Sequence, residues 1–205
     1  AAVTEAARAR GILSIVDVAQ SAGCLPVDVA AWQPDCVIGS SLKYLCGGPG
    51  AGWMAIHPDT LPRCHPVDTG WFSHENPFEF DIAHFAEAPD ARRFLGGTPS
   101  VLPFAVAGHA IPIVAGLGAA NVEAHCSALL ARFEAGLDPA WIRSETRPAK
   151  RGNGLLVAPP DLEGARARLT EAKIAHDERA GALRLSVHAY TLPEDVDAAL
   201  AAITG

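Results

Sequence analysis

Residues 15–52 read IVDVAQSAGCLPVDVAAWQPDCVIGSSLKYLCGGPGAG. Two short apolar runs, Ile12–Val18 and Cys36–Ser41, are rich in β-branched residues and end in small polar ones, the pattern of buried parallel strands. The first carries Asp17 to its carboxyl end, and Lys43 stands just beyond the second. A glycine-rich turn, Gly47-Gly48-Pro49-Gly50, follows the lysine and lets backbone approach closely. Ligands of open α/β sheets bind outside the carboxyl ends of the strands. An acid and a lysine buried there suit a cofactor that needs a covalent amine and an anionic partner for a ring nitrogen. Pyridoxal phosphate has both needs: a lysine holds it, and a carboxylate paired with its pyridinium preserves the ring as an electron sink.

Singly, an Asp at a strand end is also a turn residue and a Lys before Tyr-Leu is also a solvated one. The ordered set carries the reading. D-x-x-Q (17–20), then S-S-x-K (40–43), then G-G-P-G (47–50) resembles the cofactor-binding core of the class V aminotransferase family of fold type I pyridoxal phosphate enzymes, with kynureninase and its relatives nearest in pattern. The resemblance implies that Lys43 is the Schiff-base lysine, Asp17 the pyridinium partner, Gln20 the donor to the ring hydroxyl oxygen, and Ser40 a phosphate ligand.

Two further segments extend it. From composition alone, Gly70-Trp71-Phe72-Ser73-His74 reads as an aromatic plug under the long irregular loop of residues 61–91. Together with Arg92-Arg93-Phe94-Leu95-Gly96-Gly97-Thr98-Pro99 it is similar to the kynureninase pattern, which implies that Trp71 and Thr98 reach a cofactor phosphate in the neighbouring subunit, and hence a homodimer. Residues 184–190, RLSVHAY, resemble the family's R-x-S-x-x-x-Y, implying that Arg184 clamps the carboxylate of an amino-acid substrate with its guanidinium fork. Leu42 stands where kynureninase has a tyrosine, and Gln20 where it often has histidine; both move the chain towards the broader aminotransferases. Transamination and kynureninase-type hydrolytic Cβ–Cγ cleavage are therefore rival expectations. Desulfuration fits less well, since no cysteine follows Cys126. A half-chain that only contributes structure to a second polypeptide is the non-enzyme alternative.

Composition bounds these readings. The 205 residues are 49% hydrophobic and 19% charged, too apolar for disorder, and the longest apolar runs are broken by Pro, Gly or His before spanning length. A net charge of −7 and the absence of a basic stripe argue against nucleic acid, and no membrane partner is expected. Five cysteines without a CxxC pair point to reduced thiols and a cytoplasmic protein, and Cys64-His65 alone is too little for a metal site. Thr4–Arg10 reads as the end of a helix feeding straight into a core strand. Members of the resembled family run to about twice this length, so the resemblance implies that the chain is the C-terminal half of a fold type I enzyme, its N-terminal half a possible partner.

The expected fold class is α/β: residues 1–137 as part of a large cofactor-binding domain with a mainly parallel sheet, residues 138–205 as a small α+β domain. The patterns predict strands at Ile12–Val18, Cys36–Ser41 and Ala51–Ile56, a short helix around Val27–Trp32, and helices at Ser100–Leu117 and Ala119–Gly136. Strand Ile142–Thr146, a basic turn Arg147–Gly152, strand Leu155–Ala158, helix Asp161–Ala172, and strands Ile174–Glu178 and Leu183–His188 follow. A last helix to Ile203 opens with a capping box at Thr191-Leu192-Pro193-Glu194. His109 and His125 are expected to be packed or solvated helix residues.

Overall fold

A computed structural model describes residues 1–147 and 151–205, so the central part of the expected basic turn lies outside the described residues. Contacts divide the chain into two compact units, residues 1–22 with 27–113, and residues 23–26 with 114–205. The division falls inside the helix Val101–Leu117, at 113/114. Helix α4 (Ala119–Gly136) goes with the second unit because it packs on the terminal helix α6 (Pro193–Thr204), where Arg132 grips Asp197 at 2.5 and 2.7 Å.

The first unit is built on a sheet of β1 (Ile15–Asp17), β2 (Cys36–Ser40) and β3 (Gly52–Ile56), in that order, with helices α1 (Ala2–Arg8) and α2 (Val29–Trp32) in the connections. The β1–β2 pair is parallel, Asp17 opposite Ile38, and the β2–β3 pair antiparallel, Gly39 opposite Trp53. Val37 of β2 and Val18, just past β1, are each 1% exposed. Gly39 is required by the cross-strand pairing, because a Cβ there would stand 2.2 Å from the Trp53 ring. The entrance to the sheet is tied by Asp35. Its carboxylate accepts from Ser14 N–H at 2.8 Å, from the Ser14 hydroxyl at 2.9 Å and from the Thr60 hydroxyl at 2.8 Å.

These donors, the Ser14 amide foremost, hold the Asp35 carboxyl below its ordinary range. A depressed folded pKa means that the stabilisation is complete above the unfolded-state value and is lost as pH falls through the folded one. Asp35→Asn is therefore expected to lower stability at neutral pH and to flatten its decline below about pH 4. Thermal melts of both proteins between neutral and acid pH check this; parallel pH profiles would remove Asp35 from that role.

After β3 the chain runs through residues 57–100 with 3-10 turns at Leu61–Arg63, Trp71–Ser73 and Ala91–Phe94. Arg93, 8% exposed, holds this irregular segment together. Its guanidinium donates to the carbonyls of Ala88 at 2.9 Å and Cys64 at 3.0 Å and pairs with Glu87 at 3.1 Å. Buried loop carbonyls thus find a donor that carries five N–H groups. Helix α3 (Val101–Leu117) then begins in this unit and crosses into the second. Among the described residues no single helix is long and apolar enough to cross a membrane; α3 and α4 pass that test only together and are bent by 75° at their junction.

The second unit has an antiparallel sheet, order β4 (Gly154–Val157), β6 (Ala182–Ser186), β5 (Asp177–Arg179), with α5 (Leu162–Glu171) and α6. Leu155, Val157, Leu183 and Leu185 are its buried face, 0–5% exposed, with Leu169, Val196 and Ile203 of the helices equally buried. Three expectations shift here. The strand predicted at Ile142–Thr146 is a single bridge, Ile142 opposite Val157, because the Ser144 hydroxyl takes the Leu156 N–H that a longer strand would have used. Strand β5 starts at Asp177 because Ile174 finishes α5: its N–H returns to the Leu169 carbonyl past a left-handed Lys173. The cap of α6 lies one residue later than predicted, the Asp195 carboxylate accepting from Leu192 N–H at 2.8 Å while the Thr191 hydroxyl accepts from His188 N–H.

Candidate functional site

Lys43 sits in the loop between β2 and β3. The loop is closed at its base by Ser41 N–H to the Ala51 carbonyl (2.9 Å) and Gly47 N–H to the Ser41 carbonyl (2.7 Å), and Cys46 N–H returns to the Lys43 carbonyl at 2.9 Å. The glycines have a packing reason. A Cβ on Gly47 would lie 2.6 Å from the Ser41 Cβ and 3.1 Å from the Ala107 backbone of α3, and one on Gly50 2.9 Å from Pro103. Gly48 and Gly50 also take left-handed backbone, as does Cys46, a costlier conformation for a residue with a side chain. Helix α3 therefore braces the loop from behind, above an apolar recess of about 450 Å³ lined by Ser41, Leu45, Trp53, Phe104, Ala107 and Ile111.

The expectation of a buried acid and a buried lysine is corrected: both Asp17 and Lys43 are exposed. They lie at the carboxyl ends of β1 and β2, where this sheet face is open and leaves Ile15 68%, Ile38 36% and Met54 37% exposed. The Lys43 ammonium has no hydrogen bond or ion pair among the described residues. The Asp17 carboxylate accepts from Ala19 N–H at 2.8 Å and keeps its other oxygen for a further partner. By the β1–β2 register Asp17 and Ser40 share a sheet face, and the Ser40 oxygen accepts from Leu42 N–H at 3.3 Å, its proton left to donate. Gln20 is exposed, three residues past Asp17 and just beyond the strand.

The two aromatic-loop motifs meet each other. Phe72 N–H donates to the Gly96 carbonyl at 3.1 Å, the Ser73 hydroxyl donates to the Leu95 carbonyl, and a Cβ on Gly70 would stand 2.5 Å from the Gly96 oxygen. Trp71, 44% exposed, packs edge-on against Phe72 at 4.4 Å and Phe78 at 6.0 Å, and Thr98 is exposed. Among the described residues no hydrogen bond links Trp71 or Thr98 to Lys43, Asp17 or Ser40. In the second unit, Arg184 lies half-buried on β6, opposite Leu156 of β4 and Asp177 of β5. His125 donates through Nε2 to the Thr191 carbonyl at 3.0 Å, and His109 donates through Nδ1 to the Ala105 carbonyl of its own helix at 2.9 Å.

Comparison with known proteins identifies the family. The family model described as aminotransferase class-V matches residues 1–155. The chain belongs to the class V aminotransferase family. Kynureninase of Deinococcus radiodurans is 34% identical over 188 residues, 87% of this chain and 45% of that protein. The uncharacterized aminotransferase YcbU of Bacillus subtilis is 26% identical over 209 aligned positions, 95% of this chain and 52% of that one. Among solved structures, a cysteine desulfurase from Thermococcus onnurineus NA1 superposes with a TM-score of 0.87 at 22% identity, covering 97% of this chain and 53% of its own. An alanine–glyoxylate aminotransferase from Nostoc sp. gives 0.69 at 21%, covering 98% and 55%. These structures show the fold, the fold type I α/β arrangement. The chain spans about half the length of the relatives it matches.

The cofactor of class V aminotransferases is pyridoxal 5′-phosphate, and the residues present fit it. An uncommitted amine, a carboxylate with a spare oxygen and a hydroxyl with a spare proton stand at adjacent strand ends, which is the donor set the group requires. Buried thiols do not compete as nucleophiles. Cys24 and Cys126 are 0% exposed, and burial with Cys126 and Glu123 nearby pushes Cys24 up to about 12. What sequence reading missed in this class V chain is the bracing. Gly47 against Ala107 and Gly39 under Trp53 could be suspected from the spacing of the glycines, but only the packing of α3 and the β2–β3 register assigns them partners.

Proposed function

We propose that this chain carries the lysine-bearing part of a pyridoxal phosphate enzyme acting on an amino acid, aminotransferase-like in chemistry. The observation that carries the reading is the uncommitted Lys43 amine on a glycine-braced loop, beside Asp17 and Ser40 at the carboxyl ends of β1 and β2. When bound, the cofactor supplies the electron sink that makes the substrate's α-proton removable. Lys43 would hold the cofactor through its amine and, once the substrate's amine has taken its place, would take and return that proton at Nζ. Asp17 would offer its second oxygen to the pyridinium, Gln20 would donate to the ring hydroxyl oxygen, and the Ser40 hydroxyl would donate to phosphate. Arg184 would bind the substrate carboxylate with two parallel charge-assisted bonds.

Trp71 and Thr98, exposed and unconnected to Lys43, suit phosphate contacts in a second copy, so the working enzyme is proposed as a homodimer with shared sites. Kynureninase-type Cβ–Cγ cleavage is the second reading, favoured by the 34% identity to a kynureninase and by the apposed Gly70–His74 and Gly96 segments. Both readings concern the whole protein to which these residues contribute.

The test is where the cofactor attaches. Addition of pyridoxal phosphate is expected to give a band near ~420 nm that borohydride removes. Digestion should then place the pyridoxyl group on the peptide containing Lys43, not on those containing Lys150 or Lys173, the other two lysines. Labelling spread evenly over the three would sink the assignment.

A further inference from the structure

Arginine is the commonest cation of this acidic chain, and its guanidinium groups are almost all engaged. Among the described residues every arginine but two donates to an acceptor or stands beside a carboxylate. The exceptions are Arg143 and Arg184, whose side chains have neither hydrogen bond nor ion pair. They are not scattered. Leu156 pairs with Arg184 in the β4–β6 ladder, and the bridge of Ile142 to Val157 with the Arg143 N–H to Leu156 carbonyl bond sets Arg143 on the other side of the same residue. Paired residues share a sheet face. Val157 and Leu183 point into the core at 0% exposure, so Leu156, Arg184 and Arg143 belong to the opposite face. The two arginines are thus separated by two strand spacings, roughly 9–10 Å between backbones, with the half-buried Leu156 between them. The neighbouring carboxylates are already taken: Asp177 by Arg179 at 2.7 Å and Glu145 by Arg147.

We propose that Arg143 and Arg184, flanking Leu156 on the outer face of the small sheet, form a two-point clamp for a short dicarboxylate, an amino acid with a side-chain carboxylate or the matching 2-oxo diacid. The proposal rests on the reading of Arg184 as the clamp for the substrate's first carboxylate and adds Arg143 as the residue that selects a second. Two unpaired guanidinium forks match two carboxylates, each able to accept in bidentate fashion, and the Leu156 side chain offers apolar contact to the methylene chain between them. A monocarboxylic substrate would leave Arg143 unused.

The test is binding of glutarate and butyrate to the 205-residue protein, followed by backbone amide shifts of residues 154–157 and 182–186. Glutarate is expected to bind about tenfold more tightly than butyrate, the margin of one added charge-assisted contact. Arg143→Gln should remove that margin to within about twofold while leaving butyrate unchanged, and Arg143→Lys should restore part of it; Arg184→Gln should weaken both ligands. Equal affinities in the parent protein, or a glutarate margin that survives Arg143→Gln, overturn the clamp and leave Arg184 as a single carboxylate site. An amide response to butyrate that persists unchanged in Arg184→Gln overturns the reading of Arg184 itself.

Discussion

Replacing Lys43 by alanine is expected to abolish borohydride-stable pyridoxyl incorporation and to lower turnover by about a thousandfold or more, since covalent attachment and proton transfer are both lost. Among the described residues of the first unit, Lys43 is the one lysine. The other lysines of the chain are Lys150 and Lys173, and Lys173 lies in the second unit at the end of α5. The loop that carries Lys43 is fixed by Gly47 and Gly50 against α3 and by the Ser41–Ala51 bond, contacts that do not involve the lysine side chain. The alanine protein should therefore melt within about 1 kcal/mol of the parent, as surface substitutions do. Intact mass after reduction, with a thermal melt on the same sample, separates loss of the amine from loss of the fold. A Lys43→Ala protein that still gains one pyridoxyl mass would move the attachment elsewhere.

The second large effect concerns stability. Arg151 is 7% exposed at its side chain, pairs with Glu134 of α4, and donates to the Ser127 carbonyl at 3.1 Å and hydroxyl at 3.2 Å. Arg151→Met removes these donors and strands a carboxylate that is itself only 22% exposed. Breaking one side of a buried pair costs about 3–5 kcal/mol, and the partial exposure of Glu134 sets the lower end, about 3 kcal/mol, as the expected loss. The double change with Glu134→Leu should recover most of it, because the desolvation of both charges goes with them. Denaturant unfolding of the three proteins measures this; an additive double variant would mean that the pair is not coupled.

Much of this was legible from residue patterns. Helix α4 has the bounds its periodicity suggested, Ala119–Gly136, and β2 ends at Ser40, one residue from its predicted end. The order of Asp17, Gln20, Ser40 and Lys43 led to the family that the comparison shows. What escaped was set by partners distant in sequence. The burial of Asp17 and Lys43 was inferred from the apolar strands leading to them, but exposure depends on what covers the strand ends, and Ile15 and Ile38 on that face are open. The truncated strand at Ile142 turned on one serine hydroxyl replacing a ladder bond, and the α6 cap on whether Thr191 or Asp195 faced the helix end. The Arg143–Arg184 relation arises only from register, since forty intervening residues of pattern do not say which strands are neighbours.

The membership of residues 23–26 in the second unit has a temporal meaning. During synthesis this tetrapeptide, with its wholly buried Cys24, leaves the ribosome long before the rest of its unit, which starts at residue 114. At ~5–20 residues per second the whole of 27–113 occupies several seconds, during which a segment destined for burial stays without its shell. The second unit cannot mature vectorially behind the first, and no single proteolytic cut frees it intact. A gene fragment starting at residue 114 would omit one piece of its own core, so an autonomous version would need Gly23–Pro26 returned in trans or grafted by circular permutation.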